Sequence, residues 1–246
     1  MPPLFKYYCF CWLLLFQKYW LALVAAENSC ACQLQTRPDI SEKAQTARWM
    51  VHSLDWGVLS TISSRMKGDN VGVDDTIATT TTSLPVPFGN VYSFVDGTCD
   101  KATGIPYLFG TFMDQSFIDS VENPFVSLTL SEASLSSVCT EREGLSACML
   151  GSKYGDPENP VCARLTLSGT LVVLKEDSEE HAFAQAALFE RHSSMEGWPR
   201  DHKWVIAKIN IQDIWLIDFF GGASIIDPAS YFSATPMTDQ EKSDNG

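Results

Sequence analysis

The chain has 246 residues, of which 45% are hydrophobic and 19% charged, and its formal net charge at pH 7 is −13. A chain of this length and composition can bury one sizeable core. A surface this acidic repels phosphate backbones and anionic lipids, so we expect no nucleic-acid binding and no electrostatic attachment to a membrane.

Residues 1–26 have the pattern of a signal peptide. Lys6 precedes a long apolar run that ends in small residues, with Val24 and Ala26 at the −3 and −1 positions of a cleavage site before Glu27. The alternative is an uncleaved membrane anchor, which two polar residues inside the run disfavour. We therefore expect a mature protein without a membrane span, either lumenal or secreted.

The cysteines are interpreted in that compartment. Six follow the signal peptide, namely Cys30, Cys32, Cys99, Cys139, Cys148 and Cys162. An even number in an oxidising compartment favours disulfides over catalytic thiols. The favoured pair, Cys148 and Cys162, flanks a turn-rich loop, and the other pairings stay open. Cys30 and Cys32 could form half of a zinc site, but no second close pair completes it, so we expect no metal.

The sequence divides into one folded domain with flanking segments. We expect a signal peptide at 1–26, a leader and the start of the first helix at 27–43, the domain at 44–234 with a threonine-rich insertion near 64–87, and a disordered acidic tail at 235–246. The first helix is predicted to begin at Asp39, because Asp39 and Glu42 form a capping-box pattern.

Strands and helices are predicted in turn along the domain. Strands are expected at 56–63, 88–97, 104–112, 124–132 and 163–175, and helices at 114–122 and from 177 to about His192. The stretch 204–222 is predicted to form two strands with a tight turn near Gln212 and Asp213. Most connections are too short for parallel crossovers, which predicts a mainly β protein, an antiparallel barrel with a few helices packed outside.

One segment resembles an active site at first sight. FERHSSMEGWPRDHKW contains His192, Trp198, Pro199, His202 and Trp204. The histidine spacing does not suit a metal site, and the chain has no nucleophile elbow, phosphate loop or zinc-protease motif. We expect no catalytic residue here, but a structural turn in which His192 satisfies free carbonyls at a helix C-terminus.

Seven motifs resemble the CREG family of secreted cellular-repressor glycoproteins. They are ARWMVHSLDWGVLSTIS, FGNVYSFVDG, GIPYLF, ENPFVSLTLSE, DPENPVCARLTLSGT, ALFERHSSMEGWPRDHKW and INIQDIWLIDFFGG, in family order from about Ala44 to Phe232. The resemblance implies a split barrel of the FMN-binding, pyridoxamine-phosphate oxidase-like type, usually a homodimer, without flavin chemistry. It also implies secretion or an endolysosomal or vacuolar lumen, with protein partners and a role in growth and differentiation.

Cofactor binding is the alternative to a role in protein binding alone. The strands at 88–97, 104–112 and 124–132 contain no basic residue for a flavin phosphate. Arg48, Arg164 and Lys208 are the possible cationic partners, and Ser93, Tyr107 and Thr111 could donate hydrogen bonds to FMN. We expect no cofactor, and keep two alternatives: an FMN-dependent oxidoreductase, and a haem or small-molecule-binding barrel with His52 or His202 as axial ligand.

Overall fold

The computed structural model describes residues 37–68, 84–135, 148, 150, 153 and 155–236. The strands are β1 (Trp56–Gly68), β2 (Leu84–Thr98), β3 (Lys101–Gly110), β4 (Phe125–Ser131), β5 (Arg164–Val173), β6 (Val205–Ile217) and β7 (Ser224–Ile225). The helices are α1 (Lys43–Ser53), α2 (Gln115–Glu122), α3 (Glu179–Arg191) and α4 (Pro228–Ser233). Short 3-10 helices occupy Glu132–Ser134, Ser193–Gly197 and Arg200–His202.

The strands form an antiparallel barrel. Their order is β3-β2-β1-β4-β5-β6-β7, and an additional pairing of β3 with β6 closes the first six into a ring. Every pairing is antiparallel. Closure leaves these six strands with a partner on both sides, which removes the exposed edges of an open sheet. The predicted mainly β fold, an antiparallel barrel with helices outside, is confirmed.

The core follows the alternation of the strands. In β4, Val126, Leu128 and Leu130 are buried, while Ser127 and Thr129 point outward. The same period of two places Leu165, Leu167 and Leu171 of β5 in the core. A second apolar cluster lies where α3 covers β2, β3 and the start of β6, and includes Val95, Tyr107, Phe109, Ala184, Leu188 and Ile206. The two clusters together bury the helices' apolar faces against the barrel.

The first helix begins at Lys43, so the predicted start at Asp39 is wrong. The Asp39 carboxylate accepts hydrogen bonds from the backbone N–H of Ser41 at 2.9 Å and from its hydroxyl at 2.7 Å. The N-cap residue is Glu42, whose side chain makes no capping bond. An aspartate bonded to its own chain two residues on stabilises a turn, which delays the helix.

The prediction of a tight turn near Gln212 and Asp213 is also wrong, because β6 is one continuous strand. Asp213 pairs with Ser168 and Ile211 with Gly169, so Gln212 is an extra residue in a β-bulge. The bulge shifts the buried positions from Ile209 to Ile214 and Leu216. In the sequence, this change of phase in the alternation of apolar and polar residues looks like two separate strands.

Several sequence predictions fall outside the described residues. These are the signal peptide at 1–26, most of the leader, the middle of the threonine-rich insertion, the cysteines Cys30, Cys32 and Cys139, and the tail from residue 237. They stay predictions. Among the described residues, no helix has the length and hydropathy that a membrane span needs.

Candidate functional site

The histidine- and tryptophan-rich segment connects α3 to β6. The helix starts with a Ser178 cap, whose hydroxyl accepts from the N–H of His181 at 3.1 Å, and ends at Arg191. His192 is the C-cap, and its N–H donates to Leu188 O at 2.8 Å. Two 3-10 turns follow, and Lys203, with φ of 51°, adopts the left-handed conformation that directs the chain into β6.

The sequence predicted that the ring of His192 satisfies free carbonyls at the end of the helix, and this prediction is wrong. Its Nε2 lies 3.1 Å from the carbonyl oxygen of Phe94 in β2. Burial lowers the pKa of His192 below its ordinary value, and this effect outweighs the opposing hydrogen bond to Phe94 and the charge of Asp55. A neutral imidazole that donates from Nε2 therefore anchors the end of α3 to the barrel.

Phe109 of β3 is the centre of an aromatic cluster that holds the turn. The Trp204 ring stacks on it at 5.0 Å with an interplanar angle of 19°, Phe189 meets it edge-on at 5.5 Å, and Trp198 lies at 5.9 Å. Trp204 Nε1–H donates to Pro199 O at 2.8 Å. The Trp198–Pro199 turn is thereby pinned onto the barrel wall.

His202 does not form a catalytic or metal arrangement with its neighbours. Its Nε2 lies 3.9 Å from the exposed carboxylate of Asp201, and its backbone carbonyl accepts from the Thr111 hydroxyl at 2.5 Å. Within the described part of the chain, the single cluster of potential metal ligands comprises Glu132, Cys148 and Cys162, far along the chain from this turn. The segment between α3 and β6 is a connection packed against the barrel wall.

Tyr107, which the sequence offered as a hydrogen-bond donor to FMN, has a carboxylate partner in the structure. Its hydroxyl donates to Glu180 Oε1 at 3.2 Å, and Lys208 Nζ lies 2.8 Å from both carboxylate oxygens. Burial, then the charge of Glu180, raises the pKa of Tyr107 to about 12. The Lys208 ammonium, a possible cationic partner of a flavin phosphate, is thus already paired with Glu180.

Of the other flavin candidates, Arg164 lies elsewhere. Tyr107 pairs with Lys208 of β6, and Lys208 pairs in turn with Val172 of β5. Arg164 is eight residues before Val172 on the same strand. At about 3.3 Å per residue, Arg164 and Tyr107 are roughly 26 Å apart along the barrel. Ser93 is opposite Trp56 on β1, and the Thr111 hydroxyl is used by His202. Arg164 therefore does not converge with the other three candidates, whereas Ser93 lies within two residues of Tyr107 and Thr111 across β2 and β3, because Phe94 pairs with Leu108.

His52, a possible haem ligand, is fully engaged. Its Nδ1 lies 2.8 Å from Asp96 Oδ1 and its Nε2 lies 3.2 Å from Cys99 O, in a nearly completely buried position. A metal would have to displace one of these partners. The sequence did not indicate this pair, because 44 residues separate the two side chains.

Cys148 and Cys162 form a disulfide with a Cα–Cα distance of 5.0 Å. It packs against Glu132, a buried carboxylate that accepts from Ala163 N–H at 2.9 Å and from Arg37 Nη1 at 3.0 Å. Because the two sulfurs are bonded to each other, this cluster offers no thiolate to a metal. Cys99 is disulfide-bonded as well.

Comparisons with known proteins identify relatives of this chain. A family model described as "CREG, beta-barrel" matches residues 38–233. Protein CREG1 of Gallus gallus is 36% identical over 220 residues, which cover 88% of this chain and 98% of that protein. Protein CREG1 of Homo sapiens is 34% identical over 208 residues, with coverages of 83% and 80%.

Solved structures share the fold at low identity. A heme binding protein from Mycobacterium smegmatis superposes with a TM-score of 0.55 at 17% identity, over 81% of this chain and 62% of that one. Campylobacter jejuni ChuZ gives 0.50 at 10% identity, over 83% and 68%. Similarity at this level shows the fold alone, a split barrel of the pyridoxamine-phosphate oxidase-like type.

Proposed function

Because the chain belongs to the CREG family, we propose that it acts by binding other proteins, as a secreted or endolysosomal homodimer without catalytic activity. The observation that carries the proposal is a partly apolar face with few charges on the outside of the barrel. Two of the candidate flavin residues give independent support, since the Tyr107 hydroxyl already bonds Glu180 and the Thr111 hydroxyl bonds the carbonyl oxygen of His202.

The outer face spans β1, β2, β4, β5 and β6. Its outward-pointing residues are Trp56, Val58, Ser60, Ile62, Pro87, Gly89, Val91, Ser93, Phe125, Ser127, Thr129, Thr166, Ser168 and Trp215. None of these carries a charge, and the charged residues that adjoin them are Asp213, the β6 partner of Ser168, and Arg164, two residues before Thr166. Val91 is 62% exposed and Phe125 58% exposed, on either side of β1.

A surface with so few charges is unusual in a chain with a net charge of −13. Interface cores are depleted in charged residues and enriched in aromatic ones, whereas free surfaces are not. Small hydroxyl side chains, such as the Ser127–Ser168 pair with Oγ atoms 2.9 Å apart, leave the face flat enough for a second copy. Of the segment IWLIDFF, Ile214 and Leu216 are in the core, while Trp215 belongs to the outer face.

Light scattering after size-exclusion chromatography tests the homodimer. We expect the mature chain to have twice the monomer mass, and Val91→Glu with Phe125→Glu to reduce it to the monomer mass. Phe220→Glu is the matched control, because Phe220 is 67% exposed but lies outside this face. A monomeric wild type, or a double variant that still dimerises, would contradict the proposed contact.

The cofactor question is tested on protein purified from a secretory host. We expect no visible absorbance band, and no saturable fluorescence quenching on titration with FMN or hemin. A flavin band would favour the oxidoreductase alternative, and a Soret band the haem-binding alternative. In the same preparation, N-terminal sequencing should begin at Glu27 if the signal peptide is cleaved.

A further inference from the structure

We propose that a cavity between α1, the β2–β3 turn and the segment after α4 binds a small organic anion through Arg48. The cavity has a volume of about 370 Å³. Arg48 and His52 line it from α1, Asp100 from the β2–β3 turn, Ala102 and Thr103 from the start of β3, and Phe232 and Pro236 from the C-terminal side. The Asp100 carboxylate is exposed, so solvent screens its repulsion of an anion. It is separate from the outer face and from the Trp198–Pro199 turn.

Arg48 is a buried cation without a direct ion pair among the described residues, and the carboxylate next to it is that of Asp96, which accepts from the N–H of Gly104 at 3.2 Å. Arg48 is only 4% exposed, and within the described residues it makes no ion pair. Its one hydrogen bond runs from Nη2 to Ala102 O at 2.9 Å, and Nε has no partner. Burying a guanidinium N–H without an acceptor is costly, so a bound anion that accepts from Arg48 would offset part of the desolvation penalty.

The fold holds the Arg48 guanidinium in a fixed place. It lies over the ring of Tyr231 at 5.4 Å and against Gly104, where a Cβ would come within 2.8 Å of its Cζ. Gly104 has φ of 77°, and its carbonyl accepts from the buried Tyr231 hydroxyl at 2.7 Å. A guanidinium positioned before the ligand arrives loses little conformational entropy on binding.

The rest of the cavity wall indicates the kind of ligand. A planar guanidinium pairs best with a carboxylate or a phosphate group, and Phe232 and Pro236 offer an apolar surface to the body of the ligand. Ligand pockets occupy about 300–1,000 Å³, so this cavity suits a small molecule such as an aromatic acid or an aryl phosphate.

Isothermal titration of the full-length mature protein tests the site, with phenyl phosphate and benzoate as anionic probes. We expect saturable binding of at least one of them, and at least tenfold weaker binding of the neutral benzyl alcohol. Arg48→Met should lose at least tenfold in affinity. Arg164→Met is the matched control, because Arg164 also has a buried Nε without a partner but lies outside the cavity, and should leave affinity unchanged.

A second variant protects the test against unfolding of Arg48→Met. Ala234 lines the cavity without contacting the guanidinium through a hydrogen bond, so Ala234→Phe should fill it and abolish binding. The proposal is overturned if neither anion binds, if benzyl alcohol binds equally well, or if Ala234→Phe leaves affinity unchanged. These outcomes are independent of the dimerisation and flavin tests.

Discussion

The ring of His192, at the end of α3, donates from Nε2 to the carbonyl oxygen of Phe94 in β2, 3.1 Å away. This contact joins the helix to the barrel across 98 residues of chain. Since burial lowers the pKa of His192, the folded protein holds the ring neutral at pH values where the unfolded chain begins to protonate it.

The free energy of unfolding should therefore depend on pH through His192. Its contribution is fully present above the unfolded histidine pKa of about 6.5, and is lost as pH falls towards the lower folded pKa. Urea denaturation between pH 7.5 and 5 should show this loss in the wild type and a flatter profile in His192→Gln, which can still donate to Phe94. His181→Gln is the control in the same helix, and equal slopes for wild type and His192→Gln would refute the assignment.

Asp119 of α2 should be a major contributor to stability. Its buried carboxylate accepts from the Ser64 N–H and hydroxyl, both at 2.8 Å, from the Thr61 hydroxyl at 2.7 Å and from Gln115 Nε2 at 2.7 Å. We expect Asp119→Ala to lower the free energy of unfolding by about 2–4 kcal/mol, because four donors lose their acceptor. Urea titration measures it.

The control for Asp119 is Asp100→Ala, because Asp100 is an exposed aspartate with only a local bond to Thr98, so its loss should leave the free energy of unfolding nearly unchanged. Burial raises the pKa of the Asp119 carboxyl, but the hydrogen bonds from Ser64, Thr61 and Gln115 outweigh it and hold the pKa below its usual value. This stability is present above about pH 3.9 and is lost as pH falls through the folded pKa. Similar losses in both variants would show that the network contributes little.

The Cys148–Cys162 disulfide should stabilise the fold by restricting the unfolded chain. The two residues are 14 positions apart, and closing such a loop contributes on the order of 3 kcal/mol by the chain-entropy estimate. Cys148→Ser should lower the melting temperature and add one free thiol, at Cys162, when thiols are counted in denaturant. The double variant with Cys162→Ser should melt no lower than the single one. An unchanged melting temperature without a new thiol would exclude the pairing.

Trp204 should matter more for folding than Trp198. Trp204→Ala removes the stacking on Phe109 and the bond to Pro199 O, and should cost about 2–4 kcal/mol in thermal or urea denaturation. Trp198 is 37% exposed, so Trp198→Ala should cost about 1 kcal/mol or less. Equal effects of the two substitutions would mean that the aromatic cluster does not hold the turn.

Local features of the structure were predictable because short-range chemistry controls them. The Asp114 side chain accepts from Ser116 N–H at 2.8 Å at the start of α2, as expected for a helix beginning there, and Ser178 does the same for α3. The alternation of β4 likewise predicts its buried face. The bulge at Gln212 was missed because a change of phase in the alternation has the same appearance as a turn.

The sequence by itself determined the positions of most strands and helices, the barrel class and the resemblance to a family, since these depend on periodicity, caps and motifs along the chain. Only the tertiary structure decided which distant groups meet: His52 with Asp96, Asp119 with Ser64, and Arg37 with Glu132. These partners are 44 to 95 residues apart. Their contact depends on strand register and on closure of β3 against β6, which one sequence does not encode in any local pattern.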